Sequence, residues 1–240
     1  MFEAAIFDLD GLIIDSEPLQ VQAWNEYLHR YELELDEYEL RYILGRRASD
    51  AAEYLYRRYE IPASPISIYQ EQQAVLNKLL EGNLEPMPGL DHSIQLFREN
   101  GIRMAIGTVM TTKEMVYDIT ERLEVDDAFD VIVAADMIDA SKPDPMILLA
   151  CAETLALHPA VCLALDSNQL GVEAAINAGM KIVCVPGRYT PRWRVGGADL
   201  VVPSLDYLNL PSIRSLWTDG GGRYPQPQLQ PQVTPTRWRR

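Results

Sequence analysis

The residues best suited to chemistry begin at the eighth position. Asp8 and Asp10 stand two apart, after the apolar run Ala4–Phe7 and before Gly11, which permits a sharp turn. If that run is a buried strand of an open parallel α/β sheet, the residues just past it face the crevice where ligands bind. Two carboxylates this close repel unless a cation or a proton lies between them, and Mg²⁺ is the natural solution. The pair also fits a turn-forming Asp followed by a helix-capping Asp, and the two aspartates alone do not separate these readings.

Three more segments narrow the choice. A second apolar run, 103–107, ends at Gly107-Thr108, presenting a hydroxyl and backbone N–H groups at a helix start, where anions are favoured. A third run is followed by Ser141-Lys142-Pro143-Asp144-Pro145, a lysine held in a proline-flanked turn. A fourth ends at Leu165-Asp166-Ser167 and adds a carboxylate. Taken singly, Thr108 reads as a helix cap, Lys142 as a solvated charge and Asp166 as a turn former. Placed on one rim, they supply a nucleophile, charge neutralisation and donors to oxygen, which is what phosphoryl transfer requires.

The rim exists only if the runs are strands of one sheet. Short apolar segments at 4–7, 103–107, 130–134, 161–165, 181–185 and 199–202 suit strands buried on both faces. Helical patterns lie between them: from Pro88-Gly89 to Asn100, from Thr111-Thr112 to Leu123, from Pro143 and Pro145 to about Leu157, and over 172–178. This alternation predicts βαβ units in a doubly wound parallel sheet, an α/β fold. Residues 17–84 break it. Leu19, Ala23, Trp24, Tyr27, Leu28 and Tyr31 share one helix face, Leu40, Leu44, Ala48, Ala51 and Leu55 a second, and Ile68, Gln72, Val75, Leu76 and Leu79 a third. The expected organisation is a core of residues 1–16 and 85–216, a helical insert at 17–84, and a flexible Pro/Gln-rich tail at 217–240.

The chain has 240 residues, 35 acidic and 21 basic, and a formal net charge of −14; this balance speaks against a broad nucleic-acid surface. No stretch reaches the roughly 18 apolar residues of a membrane span, and the first residues lack the pattern of a signal peptide. Cys151, Cys162 and Cys184 lie far apart, without metal-ligand spacing, and read as buried free thiols in a reducing compartment. A cytoplasmic protein without nucleic-acid or membrane partners is the expectation.

FDLDGLIIDSEPL over residues 7–19 is similar to the first motif of the haloacid dehalogenase superfamily, in the branch of β-phosphoglucomutase, phosphoglycolate phosphatase and sugar-phosphate phosphatases. Gly107-Thr108 resembles the second motif, SKPDP the third, and DSNQLGVEAAINAGM (residues 166–180) the fourth, in the same order. The resemblance covers about residues 1–205. It implies a Rossmann-like core with a helical cap after the first strand, Mg²⁺ as cofactor, and a small phosphorylated metabolite as substrate. By the same resemblance, Asp8 attacks phosphorus to form an aspartyl-phosphate. Asp10 protonates the leaving alcohol and then activates water, its carbonyl binding Mg²⁺. Thr108 and Lys142 hold the phosphoryl oxygens. Asp8, Asp10, Asp166 and Ser167 form the implied metal site. Gly107, Gly45, Arg46, Arg47 and Gln20 are the candidate substrate contacts, the two arginines equally fitting solvated charges on a helix surface.

The fourth motif departs from the branch, which usually reads Glu-Asp-Ser-x-x-Gly with the second acid on the metal. Aligned without a gap, Asp166 falls at the Glu position and Ser167 at the Asp position; a shift of one residue instead makes Asp166 the ligand. Gln20 stands where β-phosphoglucomutase-like proteins carry a cap histidine, Ala48 where they carry an arginine, and Met110 where a small or hydroxyl residue is usual. These departures disfavour a glucose-phosphate mutase. They also leave open a catalytically weakened member that binds a phosphorylated ligand or a protein partner.

Overall fold

The computed structural model describes residues 2–191 and 195–218, so the expected tail lies, beyond Thr218, outside the described residues. Strands β1 (Ala4–Phe7), β2 (Arg103–Gly107), β3 (Val131–Val133), β4 (Cys162–Asp166), β5 (Lys181–Cys184) and β6 (Leu200–Val201) form one sheet in the order β3-β2-β1-β4-β5-β6. Every pairing is parallel. The chain builds outward from β1 to β3, then crosses back to lay β4 against the other side of β1. Strand order reverses there, and the crevice beyond the strand ends at such a point is where open α/β sheets bind ligands. Phe7 is in register with Ile106 and with Leu165, which puts Asp8 level with Gly107 and Asp166, and Thr108 one residue beyond, on one rim.

All four residues of β1 are buried, as a central parallel strand covered on both faces requires. One face carries helices α5 (Leu90–Glu99), α6 (Lys113–Arg122) and α9 (Leu210–Ser215), packed through Phe7, Phe97, Ile119 and Ile213. The other carries α7 (Met146–Thr154) and α8 (Gln169–Asn177), packed through Ile6, Cys151, Val172 and Ala175. Phe7 and Phe97 meet edge to face at 5.9 Å, a contact that adds about 0.5–1.5 kcal/mol beyond burial. The three cysteines are free and buried. Burial pushes the Cys151 thiol to about 12 and the Cys162 thiol to about 11, so neither is a nucleophile near neutral pH.

Between β1 and α5 come α1 (Glu17–Leu28), α2 (Glu37–Ile43), α3 (Ala48–Tyr59) and α4 (Pro65–Gly82). They share a core of their own around Trp24, Tyr27, Leu55 and Ile68. Asp36 and Glu39 start α2 as a reciprocal capping box, and the Ser64 hydroxyl accepts from Ser67 N to start α4. The stripe from Leu40 to Leu55, expected as one helix, is two. Leu44 turns extended and Gly45 takes φ of 81°, so the chain breaks between α2 and α3. The break presses Gly45 against the core: a Cβ there would lie 2.7 Å from Asn168 Nδ2. No helix among the described residues is long and apolar enough to cross a membrane.

Candidate active site

Asp8 is the first residue past β1, its N–H donating to Leu165 O at 2.9 Å, and its side chain is buried. Lys142 lies in the turn before α7, is 1% exposed, and places Nζ 2.9 Å from Asp8 Oδ1 and 2.7 Å from Asp166 Oδ2. Burial alone would favour a neutral lysine; Asp166 and Asp8 outweigh it and hold the amine charged, well above its ordinary range. Asp8 is pulled both ways. Burial, with Asp166 and Asp10 beside it, outweighs Lys142 and pushes the carboxyl up to about 8.

Asp10 is buried under a set of donors. Its Oδ1 accepts from Ser16 Oγ at 2.7 Å and Gln20 Nε2 at 2.8 Å, and its Oδ2 lies 3.3 Å from Thr108 Oγ1 and 3.5 Å from Thr111 Oγ1. Burial raises the Asp10 pKa, and the bonds from Ser16, Thr108 and Gln20 pull it back. The helix-cap reading of Asp10 is therefore set aside: its carboxylate meets side-chain hydroxyls and an amide, not the backbone N–H groups of a helix start. The Thr108 N–H, expected to face a ligand, instead completes the sheet by donating to Val133 O at 3.1 Å; its hydroxyl is what the site receives.

Asp166 closes β4 with Oδ1 accepting from Ser167 N at 2.8 Å and Asn168 N at 3.2 Å, and Oδ2 held by Lys142. In this geometry both oxygens of Asp166, expected as the acidic metal ligand, already take part in fixing Lys142 and the start of α8. Ser167 Oγ points to the neighbouring position and donates to the Asp10 carbonyl at 3.2 Å. Gly171 makes the arrangement possible, because a Cβ there would fall on the Asp166 carboxyl. Gly171→Ala is expected to displace Asp166, release Lys142 and cut turnover about 10²-fold, the scale of a 1 Å misplacement. Steady-state kinetics beside a thermal melt checks this; wild-type kinetics in the variant would contradict it.

The remaining expected contacts divide. Gln20 sits on Asp10, and among the described residues its Oε1 is the buried side-chain atom without a partner. Gly107 lies beneath the site, packed against Cys151 Sγ, where it spaces β2 from α7. Arg46, in the break after α2, folds back onto the end of that helix, bonding Tyr42 O at 2.9 Å with its guanidinium 4.5 Å from the Tyr42 ring centroid. Arg47 ties the insert to the core through Asp139 at 2.6 Å, and its N–H donates to Ser141 Oγ at 3.1 Å. Neither arginine joins the carboxylates. A pocket of about 310 Å³ opens at this seam, between Arg41 and Leu44 of the insert and Asn168, Gln169, Tyr189 and Thr190 of the core. A larger hollow of about 520 Å³, among Tyr42, Tyr54 and Arg57 on the insert, contains none of the site residues.

Sequence reasoning missed Ser16, Thr111 and Glu17. Ser16 precedes α1 and looks like its cap, but makes no cap bond and gives its hydroxyl to Asp10. Glu17 is buried against the backbones of Gly11 and Gly187 and accepts from Tyr189 N at 3.4 Å; burial pushes its carboxyl up to about 7 from an ordinary value of 4.5. The folded chain keeps this proton through an interval in which the unfolded chain has lost it, so stability falls as pH rises from about 4.5 to about 7, by up to roughly 3 kcal/mol. Glu17→Gln is expected to match wild type in urea denaturation near pH ~4 and to exceed it by about 2–3 kcal/mol at pH ~8. Equal stability at the higher pH would refute the burial cost.

The donors near Asp8 are all oxygens, the kind a hard divalent cation takes: the Asp8 carboxylate, the Asp10 carbonyl and the Ser167 hydroxyl. Once ionised, the three buried carboxyls outnumber the one buried amine and leave negative charge for a cation to balance, so the residues fit Mg²⁺ in kind. Their carboxylate count is low, and among the described residues no three His, Cys, Asp or Glu side chains form a metal-holding cluster.

These side chains gather at the sheet's reversal point, the place where open α/β sheets bind ligands. Residues 5–185 match the model of the haloacid dehalogenase-like hydrolases, and the chain belongs to that family and is a hydrolase. It is 30% identical over 183 residues to a phosphorylated carbohydrates phosphatase of Thermotoga maritima, covering 75% of this chain and 82% of that one. It is 29% identical over 185 residues to the fructose-1-phosphate phosphatase YqaB of Escherichia coli, covering 77% and 96%. The crystal structure of CbbY from Rhodobacter sphaeroides in complex with phosphate superposes with a TM-score of 0.78 at 27% identity, over 89% of this chain and 100% of that one.

Proposed function

We propose that this chain is a Mg²⁺-dependent phosphatase that hydrolyses a small phosphorylated metabolite through an aspartyl-phosphate on Asp8. The observation that carries the reading is a single buried lysine bonded to Asp8 and Asp166 at the strand ends, with Asp10 fixed two residues on. The names of the relatives favour sugar phosphates as the substrate class.

Lys142 draws charge from one Asp8 oxygen, and the other attacks phosphorus as the ester oxygen departs. Thr108 and Lys142 hold phosphoryl oxygens while their charge develops. Asp10, when protonated, gives its proton to the leaving alcohol; as a carboxylate it then takes one from the water that hydrolyses the acyl phosphate. Ser16 and Gln20 fix its orientation throughout. Mg²⁺, when bound, would be held by Asp8, the Asp10 carbonyl and Ser167, and supplies charge neutralisation between nucleophile and phosphoryl group. The helical insert, residues 17–84, serves as a cap over the crevice, with Gly45, Arg47 and Gln20 at its contact with the core. Three free thiols support a cytoplasmic setting.

The test is hydrolysis of an aryl phosphate and of a panel of sugar phosphates, with Mg²⁺ and with chelator. Metal-dependent release of orthophosphate is expected, and no turnover on any phosphomonoester would overturn the reading.

A further inference from the structure

We infer that Ser167 makes capture of the cation depend on the phosphoryl group, so that this pocket takes metal and phosphate together rather than the metal first. The inference rests on the metal-dependent reading above and concerns what this chain's own donors do. Of the two acids at the rim beside Asp10, one already has both oxygens bonded within the chain: Asp166 accepts from Lys142 Nζ at 2.7 Å and from the N–H groups of Ser167 and Asn168 at 2.8 and 3.2 Å, which weakens its pull on a cation. Asp8 gives one oxygen to Lys142 and keeps the other. The remaining donors, the Ser167 hydroxyl and the Asp10 carbonyl, are neutral and bonded to each other at 3.2 Å, so a cation must compete with that bond. Ser167 is fully buried, and its Oγ packs on the Gly11 backbone, where a Cβ would come within 2.9 Å. The hydroxyl therefore has little room to turn elsewhere.

Mg²⁺ dehydrates reluctantly and is held by one or two carboxylates together with the phosphates of its substrate. With one carboxylate oxygen on offer, the phosphate dianion must supply the second anionic ligand. Linkage makes the help mutual, because a dianion entering among three carboxylates and one lysine needs the cation equally.

Calorimetric titration of Mg²⁺ into wild type, Ser167→Asp and Ser167→Asn, each with and without saturating orthophosphate, tests this, with circular dichroism to verify folding. Without phosphate, Ser167→Asp is expected to bind Mg²⁺ at least about tenfold more tightly than wild type, and Ser167→Asn, of like size and no charge, no more tightly. Orthophosphate is expected to tighten wild-type Mg²⁺ binding at least about tenfold. Wild-type binding as tight as that of Ser167→Asp without phosphate, or unchanged by phosphate, would overturn the inference and leave the phosphatase reading standing. Absence of Mg²⁺ binding in all proteins, with phosphate present, would bring down both. Should Ser167→Asp fail to fold, the two wild-type titrations decide the matter.

Discussion

Lys142→Met is expected to lower kcat/KM by about 10³-fold and stability by about 3 kcal/mol. Methionine fills the same channel with a flexible apolar chain, so the change removes charge and donors more than volume. The catalytic loss follows from geometry. Lys142 Nζ lies within 2.9 Å of Asp8 and 2.7 Å of Asp166, and is the one amine among the buried polar groups described. Without it, no other buried cation among the described residues balances charge where the phosphoryl oxygens sit. The stability loss comes from leaving Asp8 and Asp166 buried without their partner, which costs more than the pair itself is worth. Steady-state kinetics and urea denaturation measure the two effects separately. A variant within threefold of wild-type kcat/KM, by the ~10²-fold scale of a lost oxyanion donor, would show that Lys142 is structural alone.

Asp10→Asn separates chemistry from folding more sharply. The amide keeps the shape, and its oxygen still accepts from Ser16 and Gln20. Its nitrogen meets the hydroxyls of Thr108 and Thr111, which can turn to accept. Removing a buried carboxylate whose pKa burial already raises should leave the melt unchanged or higher. Turnover of an alkyl phosphate should fall by about 10²–10⁴-fold, the range of a lost general acid–base. With nitrophenyl phosphate, whose leaving group needs no proton, the first half-reaction should survive and the second stall. A burst of nitrophenolate followed by slow turnover is the expected trace. Equal losses for alkyl and aryl substrates, with no burst, would take Asp10 out of proton transfer.

Much of this site was legible because strand ends are legible. Asp8, Thr108 and Asp166 each terminate an apolar run, and a parallel sheet brings such termini together whatever their separation in the chain. Lys142 was legible by its setting, a lysine between small and proline residues after a strand. The insert was visible as a change of period, but its break at Gly45 was hidden, because the apolar stripe runs on through it while the backbone turns at positive φ. Ser16, Gln20 and Thr111 converge on Asp10 from six, ten and 101 residues away, and no local period encodes that convergence. The roles of Asp166 and Ser167 were ambiguous for a similar reason. Which of two adjacent side chains meets Lys142 and which meets Asp10 depends on where the chain leaves β4, and Asp166 is still in register with Cys184 there. The arginines at 46 and 47 were open to two readings. Charge beside a crevice suggested an anionic ligand, yet Tyr42 and Asp139 engage them.

The central claim, that Asp8 carries the phosphoryl group, is tested most directly by trapping it. Asp10→Asn turning over nitrophenyl phosphate in Mg²⁺ would be quenched, reduced with borohydride and mapped by peptide mass spectrometry, with Asp8→Asn/Asp10→Asn as control. Homoserine at position 8, absent from the control, is the predicted result. Steady turnover by wild type with no modified residue at position 8 in the trap would contradict it, and would mean that water attacks the phosphoryl group directly.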